Sequence, residues 1–328
     1  MTKSKWLQIQ DFISDNYATT FVIGARGVGK TISSLVYGIK QSYENNKKFI
    51  YLRRFQSEID TLGLDVNLLS KLTGYDISID SVKDDSGRRS KMIKAGDKPV
   101  GYLLALSVAS KYKSNSYSEV FLIIYDEFID IRNRELKSET SLFLNFAMTV
   151  FRDFKKYKVL FLANATNIFN SYFIDFNIFP KSKITKDKKL SIKIVMYQAS
   201  AELDERLKTP LARQVEALND DADLHNRFQY DETGFIKKQT KQAKCVKIIR
   251  FEGIDYGLWR SKGFFTLSEK FDPSTIDKVS IDEIKEGYFY DRGGLLKCAD
   301  LLKMNKLTFS NLITRGKCIK EMKMTRCL

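Results

Sequence analysis

Through the first half of the chain, short uninterrupted apolar runs alternate with stretches of helical spacing. Thr20-Phe-Val-Ile23 predicts a strand, followed by a glycine turn and a helix over about Lys30 to Asn45. Phe49-Ile-Tyr-Leu-Arg-Arg54 predicts a second strand, with helix after it to about Leu72. Residues 74–99 predict a small β insertion around an exposed charged turn, residues 84–91. Further strands are predicted at Leu103–Val108, Val120–Tyr125 and Val159–Ala163. A helix over Thr140–Lys155 carries Leu142, Phe146, Val150 and Phe154 on or near one face. Strands apolar at consecutive positions are buried on both faces, so these runs predict a parallel sheet with helices on both sides.

The pattern changes after Pro180. A basic, turn-like run, residues 181–189, precedes a strand at Ile192–Met196. Residues 200–227 are polar and helix-compatible. From about Gln229 the pattern becomes β-rich, with Val246–Phe251, Tyr256–Trp259 and Gly263–Leu267, and the last 45 residues predict helix. A chain of 328 residues exceeds one ordinary domain. The expected division is an α/β domain at 1–195, a linker or bridging subdomain at 196–228, and a smaller α+β domain at 229–328.

Composition narrows the partners. Lysine and arginine number 55 against 40 acidic residues, a net charge of +15, which points to a polyanion. Cys245, Cys298, Cys318 and Cys327 form no CxxC pair and His225 stands far from them, which argues against structural zinc and against a histidine triad. No apolar run reaches the roughly 20 residues that span a bilayer, and the N-terminus shows no secretory pattern, so a soluble intracellular protein is expected.

Gly24-Ala-Arg-Gly-Val-Gly-Lys-Thr31 fits G-x-x-x-x-G-K-[ST], and it follows a predicted strand and opens a predicted helix. Main-chain N–H groups of Gly24, Ala25, Arg26, Gly27, Val28, Gly29, Lys30 and Thr31 would wrap the triphosphate of ATP. Lys30 would reach the β- and γ-phosphates, and the Thr31 hydroxyl would face Mg²⁺. Phe121-Leu-Ile-Ile-Tyr-Asp126-Glu127 is an apolar strand ending in two carboxylates. Asp126 would hold Mg²⁺ and Glu127 would polarise the attacking water. A glutamate directly after the aspartate places the domain among the additional-strand (ASCE) P-loop NTPases. Asn164, at the end of the Val159 strand, is the candidate sensor of the γ-phosphate, with Thr166 and Asn167 as alternatives. For an arginine finger the residues leave Arg152 and Arg26 open, and Arg53-Arg54 could lie near nucleotide or position the segment that follows.

These stretches together, with Thr149-Val-Phe-Arg152 and Tyr172-Phe…Phe176-Asn…Pro180, resemble the DNA-packaging ATPase (encapsidation protein) family of phi29-like small tailed phages. The motifs keep the family's order over roughly residues 15–180. The resemblance implies an ATP-hydrolysing, terminase-like motor that drives double-stranded DNA into a preformed prohead in the host cytoplasm. It implies a homo-oligomeric ring, usually a pentamer, at the portal vertex, docked on a structural RNA. It assigns Arg152 as the arginine finger acting in trans, and it places Lys113, with Lys111 beside it, in a segment facing the DNA channel. Where the family tends to carry a lysine after the Arg-Arg pair, this chain has Gln56. For the C-terminal domain it implies a reduced RNase H-like fold that binds nucleic acid without cleaving it. In keeping with that, the predicted strand Val246–Phe251 has no acidic residue in its body, and Glu252, Asp255, Glu269 and Asp272 fall near turns. A terminase-type nuclease and a non-catalytic nucleic-acid-binding protein are the alternatives.

Overall fold

The structure, a computed structural model, describes residues 7–13, 15–83, 89–112, 117, 119–130, 134–152, 156–164, 170–180, 182–197, 209–210, 214, 236–237, 240–325 and 327. Thr166, Asn167, Lys113, Phe154 and most of the expected linker at 196–228 lie outside these residues, as does the side chain of Lys111. The chain divides into two compact units, each with its own sheet. The first takes Met1–Ser171 and Pro180–Tyr230; the second takes Tyr172–Phe179 and Asp231–Leu328.

In the first unit, α1 (Gln10–Ile13) precedes β1 (Thr19–Gly24), α2 (Lys30–Asn45) and β2 (Lys48–Arg53). The predicted single helix after β2 is two, α3 (Gln56–Asp60) and α4 (Val66–Thr73), because Gly63 and Asp65 intervene and the Asp65 carboxylate caps α4. Next come β3 (Ile77–Lys83), β4 (Arg89–Ala95) and β5 (Lys98–Ala105), a 3₁₀ segment (Leu106–Tyr112), β6 (Val120–Asp126), α5 (Glu139–Val150) and β7 (Lys158–Ala163). After α6 (Ser171–Asp175), the chain adds β8 (Ile184–Asp187) and β9 (Ile192–Tyr197).

These strands form one nine-stranded sheet in the order β3-β4-β5-β2-β6-β7-β1-β9-β8. From β5 to β9 all neighbours are parallel; β3, β4 and β8 join antiparallel at the two edges. The β insertion predicted at 74–99 is therefore an extension of the main sheet. The predicted strand at 103–108 begins earlier and gives way to the 3₁₀ segment at Leu106. Strand β7 lies between β1 and β6, and its last residues register with both: Ala163 with Ile23, Leu162 with Asp126.

Side chains alternate across the sheet. On one face Val22, Phe49, Tyr51, Ile124 and Leu162 pack in a core with Leu35 and Ile39 of α2. On the other face Phe21 stacks on Phe161 at 4.4 Å, and Tyr125 stacks on Phe143 of α5 at 5.7 Å. The sheet is thus covered on both faces. Phe49 also fixes two glycines: a Cβ on Gly101 would come within 2.6 Å of its ring, and one on Gly38 within 3.0 Å.

In the second unit β10 (Lys244–Phe251), β11 (Ile254–Ser261) and β12 (Phe264–Ser268) make an antiparallel meander. They are followed by β13 (Lys278–Ser280), β14 (Phe289–Tyr290), α7 (Leu296–Lys303), β15 (Leu307–Phe309) and α8 (Leu312–Met324). The sheet order is β14-β13-β10-β11-β12-β15, with β13 parallel to β10, β14 parallel to β13 and β15 parallel to β12. The last 45 residues, expected to be helical, hold two helices and two short strands. Those strands are too brief for period-2 patterning and owe their pairing to the sheet. Residues Tyr172–Phe179 join this unit: a Cβ on Gly316 of α8 would meet Ile174 at 3.0 Å, and Lys320 pairs with Asp175.

All four cysteines are free and buried. Burial pushes the Cys298 thiol up to about 12 and Cys318 well above its usual value. Thiolate-selective reagents at pH 8 are expected to leave Cys298 and Cys318 unlabelled until the protein unfolds, which mass spectrometry of labelled peptides checks. Gly101→Ala is expected to destabilise the first unit by about 1–3 kcal/mol through overpacking against Phe49, read as a lower thermal midpoint.

Candidate active site

The loop from Gly24 to Lys30 leaves the buried tip of β1 and turns directly into α2. Two of its residues require glycine: Gly27 has φ 75° and Gly29, the cap of α2, has φ 86°. Both are left-handed conformations that side chains resist. Gly29 offers no capping side chain, so the first N–H groups of a 16-residue helix face the loop. Lys30 lies within this loop. Its ammonium donates to Gly24 O at 2.7 Å, Ala25 O at 2.8 Å and Asn164 Oδ1 at 3.0 Å. Asn164 thus meets the loop, while the alternatives Thr166 and Asn167 lie outside the described residues. Arg26 is exposed.

Asp126 comes to the same place from the tip of β6. Its Oδ2 accepts from the Thr31 hydroxyl at 2.8 Å and from the buried Tyr51 hydroxyl at 2.7 Å, with Arg53 Nη1 at 3.6 Å. Burial, and then the Asp126 charge, push the Tyr51 hydroxyl well above the usual tyrosine range, so it stays a donor. The donor set of Thr31 and Asp126, a hydroxyl beside a carboxylate, consists of hard oxygens and suits a magnesium ion.

Glu127 has φ 55°, which turns it out of the strand, and its side chain is 63% exposed. It accepts from Arg53 Nη2 at 2.5 Å. Burial acts to lower the Arg53 pKa, but Tyr51, Asp126 and Glu127 outweigh it and hold the guanidinium firmly charged. Arg53 therefore lies against both carboxylates at the end of β6.

Arg54, the next residue, falls on the opposite face, 2% exposed. It forms a bidentate pair with Glu139 at the start of α5, at 2.7 and 3.0 Å. Glu139, 1% exposed, also accepts from the Tyr125 hydroxyl at 2.8 Å and the Leu136 amide at 2.9 Å. Sequence reasoning missed Glu139, because a lone glutamate at a helix start reads as an ordinary first-turn acid. Removing one partner of such a pair strands a buried charge and costs about 3–5 kcal/mol. Arg152 lies exposed just beyond α5. Gln56 donates to Asp60 within α3 at 2.9 Å.

The second unit holds an open cleft of about 650 Å³, lined in part by Trp259, Lys241, Lys270 and Asn311. The Trp259 ring is fixed by an indole N–H donated to Lys270 O at 2.7 Å. Tyr256 is buried against Phe251, whereas Phe264 is exposed. Of the acids near turns, Asp255 pairs with Arg250 at 3.0 Å and Lys285 at 3.1 Å, and Glu252 lies 3.8 Å from Lys317. Asp272 accepts from the Ser274 hydroxyl at 2.7 Å, and Glu269 lines the cleft. Among the described residues no cluster of three or more His, Cys, Asp or Glu could hold a metal ion.

The Podovirus DNA encapsidation protein (Gp16) family matches residues 1–307. The chain belongs to this family. It is 28% identical over 334 residues to the DNA packaging protein of Bacillus phage phi29, covering 96% of each, and 30% identical over 274 residues to that of Bacillus phage B103, covering 81% of this chain and 83% of the relative. Among solved structures, a chain of the bacteriophage phi29 viral genome packaging motor assembly superimposes with a TM-score of 0.73 at 27% identity, covering 98% of this chain and all of that one. The N-terminal domain of the phi29 DNA packaging ATPase does so at 0.52 and 30% identity, covering 60% of this chain and 98% of that domain. Family membership thus rests on both units together. No helix among the described residues is long and apolar enough to cross a membrane.

Tyr51→Phe removes one of the donors to Asp126. It is expected to cost about 1.5–3 kcal/mol, measured as a shift in the denaturant midpoint, since the lost bond is to a charged group.

Proposed function

We propose that this DNA-packaging ATPase binds ATP on the Gly24–Thr31 loop and cleaves it with Glu127, Asn164 and a neighbouring subunit's arginine. The observation that carries the proposal is the convergence of Lys30 with Asn164, and of Thr31 with Asp126, at adjoining strand tips. Lys30 rests on loop carbonyls and Asn164. An entering triphosphate competes for its ammonium, which frees the Asn164 amide to turn its NH₂ group toward the γ-phosphate and report its loss. Thr31 and Asp126 would hold Mg²⁺, which when bound supplies positive charge beside the β- and γ-phosphates. Glu127 orients the attacking water and accepts its proton, which requires its carboxylate to turn from Arg53. Arg53 then remains beside Asp126 as a fixed positive charge.

The strand order supports the additional-strand class, because β7 separates the loop-bearing strand from the strand with the acidic pair. Arg152 sits at an exposed position, suited to reach a neighbouring subunit in a ring, a pentamer by family resemblance. The ring moves double-stranded DNA by phosphate contacts, with Lys111 and Lys113 in the segment that faces it. It docks on the portal vertex of the prohead through a structural RNA, within the host cytoplasm. In this reading residues 1–195 are the ATPase domain, 196–228 the linker and 229–328 the nucleic-acid-binding domain.

For the second unit, the order β12-β11-β10-β13-β14, with β13 and β14 parallel to β10, supports a reduced RNase H-like fold. The ion pairs at Asp255 and Glu252 support binding without cleavage, and the cleft beside Trp259 presents an aromatic ring with two lysines to a nucleic acid.

Glu127→Gln is expected to keep ATP affinity and lower kcat at least about 100-fold, by loss of the general base; ATP turnover on proheads with DNA, alongside nucleotide binding, checks this. Rings mixing Arg152→Ala with Glu127→Gln subunits are expected to regain turnover at interfaces where both functions are intact. Mixed rings as inactive as either variant alone would place the arginine's role in cis.

A further inference from the structure

We infer that Arg54 and Glu139 are positioning residues for ATP hydrolysis, fixing from behind the turn that carries Glu127. This rests on Glu127 being the residue that activates water. Glu127 adopts a left-handed φ of 55°, a conformation that a glutamate does not choose for itself. A turn held in this way must be stabilised by its surroundings. Arg54 Nη2 donates to Phe128 O at 2.5 Å, Arg54 Nη1 lies 3.4 Å from Glu127 O, and the Phe128 amide donates to Leu162 O at 3.2 Å. Arg54 therefore grips the peptide groups on the C-terminal side of the catalytic carboxylate.

The guanidinium is itself aimed. Its Nε and Nη2 bind both oxygens of Glu139, and the same oxygens accept from Tyr125 and Leu136. The carboxylate thus has four donors, with two on each oxygen, and little freedom to rotate. Only a planar fork can serve Glu139 and the two carbonyls at once; a lysine ammonium carries the charge without that geometry. None of these contacts involves Thr31, Asp126 or the phosphate loop. The pair acts on where Glu127 points and leaves nucleotide affinity alone.

Arg54→Lys and the double variant Arg54→Met/Glu139→Met test this in the full chain. The double variant leaves no unpaired buried charge, so it is the one better placed to fold. The measurements are kcat and KM for ATP, affinity for a fluorescent non-hydrolysable ATP analogue, and thermal unfolding. Expected is a drop in kcat of about 10- to 100-fold, the scale of a displaced catalytic group, with analogue affinity unchanged. In a Glu127→Gln background, single-turnover rates are expected to fall no further, because the pair acts through that residue. Wild-type kcat in both variants overturns the inference, and so does a loss that adds in full to that of Glu127→Gln. If both variants lose their cooperative unfolding transition, the pair is only a folding element and the inference falls. A Glu127→Gln protein with normal kcat instead removes the underlying reading of Glu127, whatever Arg54 does.

Discussion

Strand β2 and the residue after it place two consecutive arginines on opposite faces of the sheet, and the organisation of the tip follows from that. Arg53 lies with Tyr51 on the face of α2, where it meets Asp126 and Glu127. Arg54 lies on the face of α5, where it meets Glu139. Period-2 alternation makes this division obligatory wherever the chain stays extended. Each of the three carboxylates at the tip thereby acquires a guanidinium, and the two groups of charges are kept apart by the thickness of the sheet. A one-residue slip of β2 would exchange the two arginines and leave a buried charge unpaired on one face.

The two faces differ in what they can change. On the α5 face, Arg54, Glu139 and Tyr125 are buried and saturated with hydrogen bonds, so the arrangement is rigid. On the α2 face, Lys30 bonds to backbone carbonyls and Asn164, Thr31 donates to Asp126, and Glu127 is largely exposed with one ion pair. Lys30, a cation held by neutral oxygens, can give these up for the charged oxygens of an arriving anion. A fixed face behind an adjustable one suits a site where charge must be redistributed while the backbone stays in register.

The second unit handles its charges differently. Arg250 and Lys285 neutralise Asp255, and Lys317 and Lys320 approach Glu252. Asp255 and Glu252 are thus met by cations of β10, of the turn at Lys285 and of α8. The wide spread of lysine and arginine along the chain gives both units a positive bias, which favours polyanions without sequence readout.

The phosphate loop was legible in the sequence because its chemistry is local. Glycines at 27 and 29, a lysine at 30 and a threonine at 31 do their work within one turn of their own helix. The consecutive apolar strands were legible for the same reason, since burial on both faces marks every residue. Other features were not. Strands β8 and β9 return past β1 to complete the first sheet, residues 172–179 join the second unit, and Glu139 closes on Arg54 across 85 positions. Sequence by itself determined the residue types, the strand periodicity and the glycine loop between β1 and α2. Tertiary structure alone decided which buried charge meets which, because a guanidinium finds its carboxylate through packing in space, and neighbouring sequence carries no mark of it.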